Sequence, residues 1–161
     1  MTRTSLKDHN CSLARTVDII GDKWALLIVR DAFYGTRSFS AFQTSLGVAK
    51  TVLSDRLQRL VDGGVLERTR VRDGVERFEY RLTLAGQDLF PLIVALVQWG
   101  DRFIFGEGRE PMAFLDRASG EPVRDIIVQA NNGQRLTARD VTLRLRANTA
   151  VAIEDSGRKD P

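Results

Sequence analysis

Apolar residues in the first third of the chain recur at helical spacing. Leu13, Val17 and Ile20 share one face of a short helix that ends at Gly21-Asp22. Asp22 can accept a backbone N–H bond and start a second helix, Lys23 to Phe33. The run Trp24-Ala25-Leu26-Leu27-Ile28-Val29 makes that helix apolar nearly all round, which places it at the centre of a fold. Tyr34-Gly35-Thr36-Arg37 turns the chain. Ser38 then caps a third helix with Phe39, Phe42 and Leu46 at i, i+3 and i+7, and Gly47 breaks it. A fourth helix starts near Ala49 or Lys50 and runs to about Asp62, with Leu53, Leu57, Leu60 and Val61 facing inward. Gly63-Gly64 stops it, because glycine accepts the left-handed conformation at a helix end.

The period then changes from helical to alternating. Val65 to Val71 and Arg77 to Leu82 read as two strands, and Asp73-Gly74 between them signals a hairpin. Centring the turn on those two residues puts Arg70 opposite Arg77 and Arg68 opposite Glu79. Arg68, Arg70 and Arg72 alternate and share one face of their strand. A long fifth helix is expected from about Ala85 to Phe105. It has two apolar stripes, Leu89/Ile93/Leu96/Gly100/Phe103 and Phe90/Val94/Val97/Ile104. One stripe suffices for a surface helix. The second needs a cover, either a partner subunit or the C-terminal part of the chain folded back.

The chain divides into a flexible N-terminus (1–10), a main domain (11–105), a Gly- and Pro-containing linker (106–111), a small β unit (112–147) and a disordered tail (148–161). The β unit rests on short alternating segments around Ser119-Gly120 and Asn132-Gly133. The fold class is α+β, mainly α: a helix-turn-helix with a β wing, a long C-terminal dimerisation helix and a small β appendage.

Composition narrows the class. A chain of 161 residues with 43% hydrophobic content can bury a core. The apolar runs Trp24–Val29 and Leu92–Val97 fall far short of the ~18 residues that suggest a membrane span, so a cytoplasmic protein with no membrane partner is expected. One cysteine permits no internal disulfide. The net charge of +3 fits a polyanionic partner without specifying one. An enzyme is not expected: the single histidine, His9, lies near the N-terminus, and no phosphate-binding Gly-rich loop or nucleophile–base pair is present.

The constellation with chemical meaning is the third helix, the turn at Gly47, the fourth helix and the charged hairpin. A B-DNA major groove is ~12 Å wide and admits one α-helix, which must bury one side on its own domain and offer the other. Opposite the leucine face of the fourth helix lie Thr51, Val52, Asp55, Gln58 and Arg59, with Lys50 at its start and Arg56 on its flank. Short polar groups read base edges, and arginine and lysine hold phosphates. The expected DNA-binding set is therefore Ser38, Lys50, Thr51, Ser54, Asp55, Arg56, Arg59, Arg70, Arg72 and Arg77. A basic pair at the hairpin tip, Arg70 and Arg77, would be accounted for by a phosphate between the guanidiniums. The partner is double-stranded operator DNA. The expected dimer interface comprises Leu13, Val17, Phe90, Val94, Val97 and Ile104, so that a two-fold pair presents two reading helices to half-sites about one DNA turn apart. The competing reading is a winged-helix module that binds proteins and not DNA; the steep salt dependence of phosphate contacts separates the two.

Four segments closely resemble the HxlR family of winged-helix regulators: Cys11–Ala14 (CSLA), Val17–Val29 (VDIIGDKWALLIV), Gly47–Gly64 with its Leu53-Ser54-Asp55-Arg56-Leu57, and Glu76–Gly86 (ERFEYRLTLAG). The resemblance covers about residues 11 to 105. It implies a dimer built from the terminal helices, operator binding through the fourth helix and wing, and local gene control, with repression favoured. Ala49 departs from the family's frequent serine at the start of the reading helix, and alanine is a poorer cap by ~1 kcal/mol. Some relatives have Cys-Gly and Cys-x-x-Cys-Gly turns in the C-terminal region. Here these read Ser119-Gly120 and Gln129-Ala130-Asn131-Asn132-Gly133, so a metal-free appendage is expected, stabilised by Phe114, Leu115, Val123, Ile126, Ile127, Val128, Leu136 and Val141. No cofactor is expected. Some relatives with a cysteine at the position of Cys11 respond to oxidants or electrophiles. A helix start and the nearby cation Arg15 both favour thiolate, so Cys11 is a candidate redox sensor. A small-molecule effector would fit a cavity near Trp24, Phe90 and Trp99.

Overall fold

A computed structural model describes residues 5–73 and 75–144, with the side chains of 72–76 excepted. The elements run α1 (Ser12–Ile20), α2 (Lys23–Phe33), α3 (Phe39–Leu46), α4 (Lys50–Asp62), β1 (Leu66–Asp73), β2 (Val75–Leu82), α5 (Leu84–Gln87) and α6 (Phe90–Gly100), followed by a π-helical turn over Asp101–Phe105. Among the described residues no helix is long and apolar enough to cross a membrane. The tail over 148–161 lies outside the described residues.

The first four helices follow the local signals. Asp22 caps α2 by accepting from the amides of Trp24 and Ala25, and Ser38 caps α3 by accepting from Ala41. Gly47 ends α3 at φ +60°, a conformation that costs other residues steric strain. The core is a single cluster in which Ile28, Val29, Phe42, Leu53, Leu57 and Leu60 have no exposed surface. α2 packs against α3, α4 and α6, as a helix apolar nearly all round must.

β1 and β2 form a two-stranded antiparallel sheet, and a bridge from Ser38 to Glu79 adds the start of α3 to its edge. The sheet is anchored at its base. Thr83 donates its backbone N–H to Val65 O at 3.1 Å, and its hydroxyl donates to Gly64 O at 2.6 Å. The same hydroxyl accepts from Gly86 N at 3.0 Å, which starts α5 under the hairpin. Gly86 is buried there, and a Cβ at this position would stand 2.1 Å from Val65 O, so only glycine fits.

Three expectations are corrected. The hairpin pairs Asp73 with Val75, so the register differs by one from that of a two-residue Asp73-Gly74 turn. Arg70 faces Phe78, Arg68 faces Tyr80 and Arg77 faces Val71. The long fifth helix is two helices, α5 and α6, broken at Asp88-Leu89. Pro91 sits in the first turn of α6, where its missing N–H is harmless; in an unbroken helix it would remove an interior hydrogen bond. The C-terminal β unit is slighter than the alternating segments suggest, with isolated β-bridges and no longer strand among the described residues. It consists of two turns, at Gly120 (φ +74°) and Gly133 (φ +82°), closed by the single bridges Leu115–Pro122 and Gln129–Arg135. Of the apolar residues expected to stabilise it, Phe114 packs against the main core, but Leu115, Ile126, Ile127, Val128 and Val141 are exposed.

Candidate nucleic-acid interface

α4 sorts its residues by side. Leu53, Leu57 and Leu60 are fully buried, whereas Lys50, Thr51, Ser54, Asp55, Gln58 and Arg59 are exposed. The exposed face therefore carries only polar groups, and Val52, expected there, is instead half-buried against the core. The exposed face is also internally ordered. Asp55 pairs with Arg59 at 3.0 Å across one helical turn and with Arg56, and Gln58 donates to Asp62 at 2.8 Å. α4 begins at Lys50 with Ala49 as its N-cap residue, and no side chain caps it.

Arg56, expected to hold a phosphate, has a different occupation. Its Nε donates to Asp22 Oδ1 at 2.8 Å while its Nη1 pairs with Asp55, and the side chain is half-buried. The carboxylate that starts α2 thus also fixes the orientation of α4. Burial pushes the Asp22 carboxyl up, but the hydrogen bond from Arg56, the amides of Trp24 and Ala25 and the Arg56 charge outweigh it and hold the group below the ordinary carboxylate value. A second link joins α2 to α3: the buried Asp31 accepts from Ser45 Oγ at 2.7 Å and from Arg30 Nη2 at 2.7 Å. The hydrophobic pattern does not single out Asp31, which reads as one polar position at the end of an apolar helix. Its only signal is the adjacent arginine in Val29-Arg30-Asp31.

The wing brings its basic residues together differently from the expectation. Directly paired residues share a face of the sheet, so Arg70 and Arg77 lie on opposite faces and do not bracket one phosphate. Both are exposed. Arg68 lies with its guanidinium 3.6 Å from the centroid of the Phe78 ring, a cation–π stack that stiffens the hairpin. The backbone of Arg72 is in β1, and its side chain lies outside the described residues, as does the turn residue Gly74.

The expected dimer set divides in two. Leu13, Val17 and Ile104 are exposed, at 70%, 39% and 68%. Val94 is fully buried within the protomer and cannot meet a partner. Phe90 is covered in part by its own chain, with ring centroids 5.3 Å from Phe33 and 5.6 Å from Phe114, so here the C-terminal part does fold back. Val97 is half-buried in the wall of a cavity. The exposed stripe of α6 and its π-helical turn is instead Leu92, Leu96, Trp99 and Phe103. Of the three aromatics expected to mark an effector cavity, Trp24, Phe90 and Trp99, none lines the cavity described below, although Phe90 touches its lining residue Phe114.

A reading helix joined by a tight turn to a supporting helix, with a hairpin beside it, defines a winged helix-turn-helix protein. The chain belongs to the HxlR-like helix-turn-helix family, whose model matches residues 19–107. It is 39% identical over 81% of its length to an uncharacterized HTH-type transcriptional regulator of Mycobacterium tuberculosis, 83% of which is covered. Among solved structures it superposes with a TM-score of 0.82 and 44% identity on PA1607, described as a candidate transcription factor, covering 88% of this chain and 99% of that one. The redox regulator HypR in its reduced form matches at a TM-score of 0.52 and 25% identity, over 56% of this chain and 90% of that one. The chain is thus a transcriptional regulator of the winged-helix type and not an enzyme.

Proposed function

We propose that the protein is a homodimeric, sequence-specific DNA-binding repressor that sets α4 in the major groove of a palindromic operator and the β1–β2 hairpin on its flank, and that it acts in the cytoplasm. The observation that carries this reading is the division of α4 into three fully buried leucines and an outer face without an apolar side chain. Thr51, Ser54 and Asp55 stand where base edges would be read. Lys50, Arg59, Arg70 and Arg77 are exposed where phosphates would lie, and Ser38 starts the supporting helix beside them. Arg56 acts as a positioning residue through Asp22 and Asp55.

The dimer reading is supported by the exposed apolar residues of α1 and α6, which a second copy would cover. The test is titration of operator duplexes selected from a random pool. Arg70→Ala or Arg77→Ala should weaken binding to every sequence and lower the salt slope by about 0.9 per lost phosphate contact. Changes at Thr51 or Asp55 should instead alter which sequence is preferred. A protein that selects no duplex refutes the reading and leaves the protein-binding module in its place.

Cys11 supports control through its thiol. It is exposed and precedes α1, the helix that also carries the exposed Leu13 and Val17. Alkylation with N-ethylmaleimide should weaken operator binding in the native protein and leave Cys11→Ser unaffected. Equal loss in both overturns this control.

A further inference from the structure

A cavity of about 780 Å³ opens between the C-terminal end of α6 and the segment that crosses it. That volume is in the range of small-molecule sites. Its floor is apolar, made by Val97 of α6 together with Met112, Phe114 and Val123. The floor is fixed: Phe114 stands edge-on to Phe90 at 5.6 Å, and Tyr34 donates its hydroxyl to Met112 Sδ at 3.2 Å. The far wall is tied to α6. Gln98 Nε2 donates to Arg124 O at 3.0 Å, and Gln98 Oε1 accepts from Ile126 N at 2.8 Å.

The rim has the opposite character to the floor. Asp101, Glu107, Glu110 and Asp125 line it, with Arg102 as the one cation among its lining residues. Arg102 is already paired with Asp125 at 2.9 Å. Among the described residues the carboxylates of Asp101, Glu107 and Glu110 have no ion-pair partner, and no group of acidic side chains is close enough to hold a metal ion. An anionic ligand would meet repulsion. A neutral one would displace water from carboxylates without replacing its hydrogen bonds.

We propose that this cavity binds an organic cation: an ammonium or related head among the rim carboxylates, with an aromatic or branched aliphatic body on the Val97–Phe114 floor. α6 forms one wall of the cavity and also carries the exposed stripe at Leu96 and Trp99. A ligand that fills the cavity braces α6 against the crossing segment, and so changes the spacing of two reading helices. This regulatory clause rests on the dimeric DNA-binding reading; the binding site does not.

The test is calorimetric titration of the full chain with three probes of one shape and different charge: 2-(1-naphthyl)ethylammonium, 2-(1-naphthyl)ethanol and 1-naphthylacetate. The cation should bind once per protomer, at least about fivefold tighter than the alcohol, with no heat from the anion. Replacing Asp101, Glu107 and Glu110 together by Asn, Gln and Gln should bring the cation down to the affinity of the alcohol. Val123→Trp, which fills the floor, should remove binding of both while the thermal midpoint stays in place. Equal affinity for cation and alcohol, preference retained in the triple variant, or no heat from any probe overturns the site. Operator affinity is then measured with and without the cation. An unchanged value overturns the regulatory clause alone, and an absence of duplex binding without ligand overturns the DNA-binding reading alone.

Discussion

Helices α4 and α6 are built alike on their inner sides and oppositely on their outer sides. α4 buries Leu53, Leu57 and Leu60; α6 buries Ile93 and Val94. Outward, α4 shows Thr51, Ser54, Asp55 and Arg59, whereas α6 and its π-helical turn show Leu92, Leu96, Trp99 and Phe103. The first surface is stable in water and gains from a polyanion that displaces counterions. The second loses free energy in water at about 25 cal/mol per Å² of apolar area and gains from an apolar cover. The difference favours partners of different chemistry for the two helices and supports the proposed reading, a nucleic acid on α4 and a second copy on α6.

The comparison is most directly broken at α6. Leu96→Glu with Trp99→Glu should convert a dimer to a monomer in sedimentation velocity. It should also weaken operator binding about 10²- to 10⁴-fold, because two linked half-sites become one. The circular dichroism spectrum should hold, since both side chains are exposed. A native protein that sediments as a monomer, or a variant that stays dimeric, removes α6 from the comparison.

The inner side of α4 gives the next largest effect. Leu57→Ala removes a side chain with no exposed surface and should cost about 2–5 kcal/mol in urea unfolding. Its effect on operator affinity should follow the folded fraction alone. A loss well below that range would mean that the core around α4 collapses to fill the gap, and that α4 is less rigidly held than its contacts imply.

The same contrast explains what could be read in the sequence. α4 was legible because its signals are local: leucines three and four apart, a glycine turn before it and two glycines after it. So were the caps at Asp22 and Ser38. The hairpin register was not, because it is set at the base of the sheet and not at its tip. Leu66 pairs with Leu82, and Thr83 is tied to Gly64 and Val65; those contacts fix the pairing whatever the turn residues prefer. The break between α5 and α6 was signalled by Pro91, but the apolar periodicity running through it suggested one helix. Which stripe of α6 faces outward depends on Phe114, which arrives from beyond the linker to cover Phe90, and no local pattern reports that contact. The Asp22–Arg56 pair was equally hidden: both residues were singled out, one as a cap and one as a phosphate ligand, and only the fold brings them together.

That pair yields the smallest effect and the finest test of how α4 is aimed. Asn is as good an N-cap as Asp, so Asp22→Asn keeps the start of α2 and removes only the charge that faces Arg56. At neutral pH the variant should be less stable by about 1 kcal/mol. The pH dependence has a fixed sign. The folded-state value of Asp22 lies below its ordinary value, so the stabilisation is complete above the unfolded carboxylate value and is lost as pH falls through the lower, folded one. Urea unfolding measured from neutral pH down through the carboxylate range should therefore show the two proteins converging at the acid end. A gap that persists unchanged at low pH would mean that Asp22 holds α2 and α4 together through shape rather than charge.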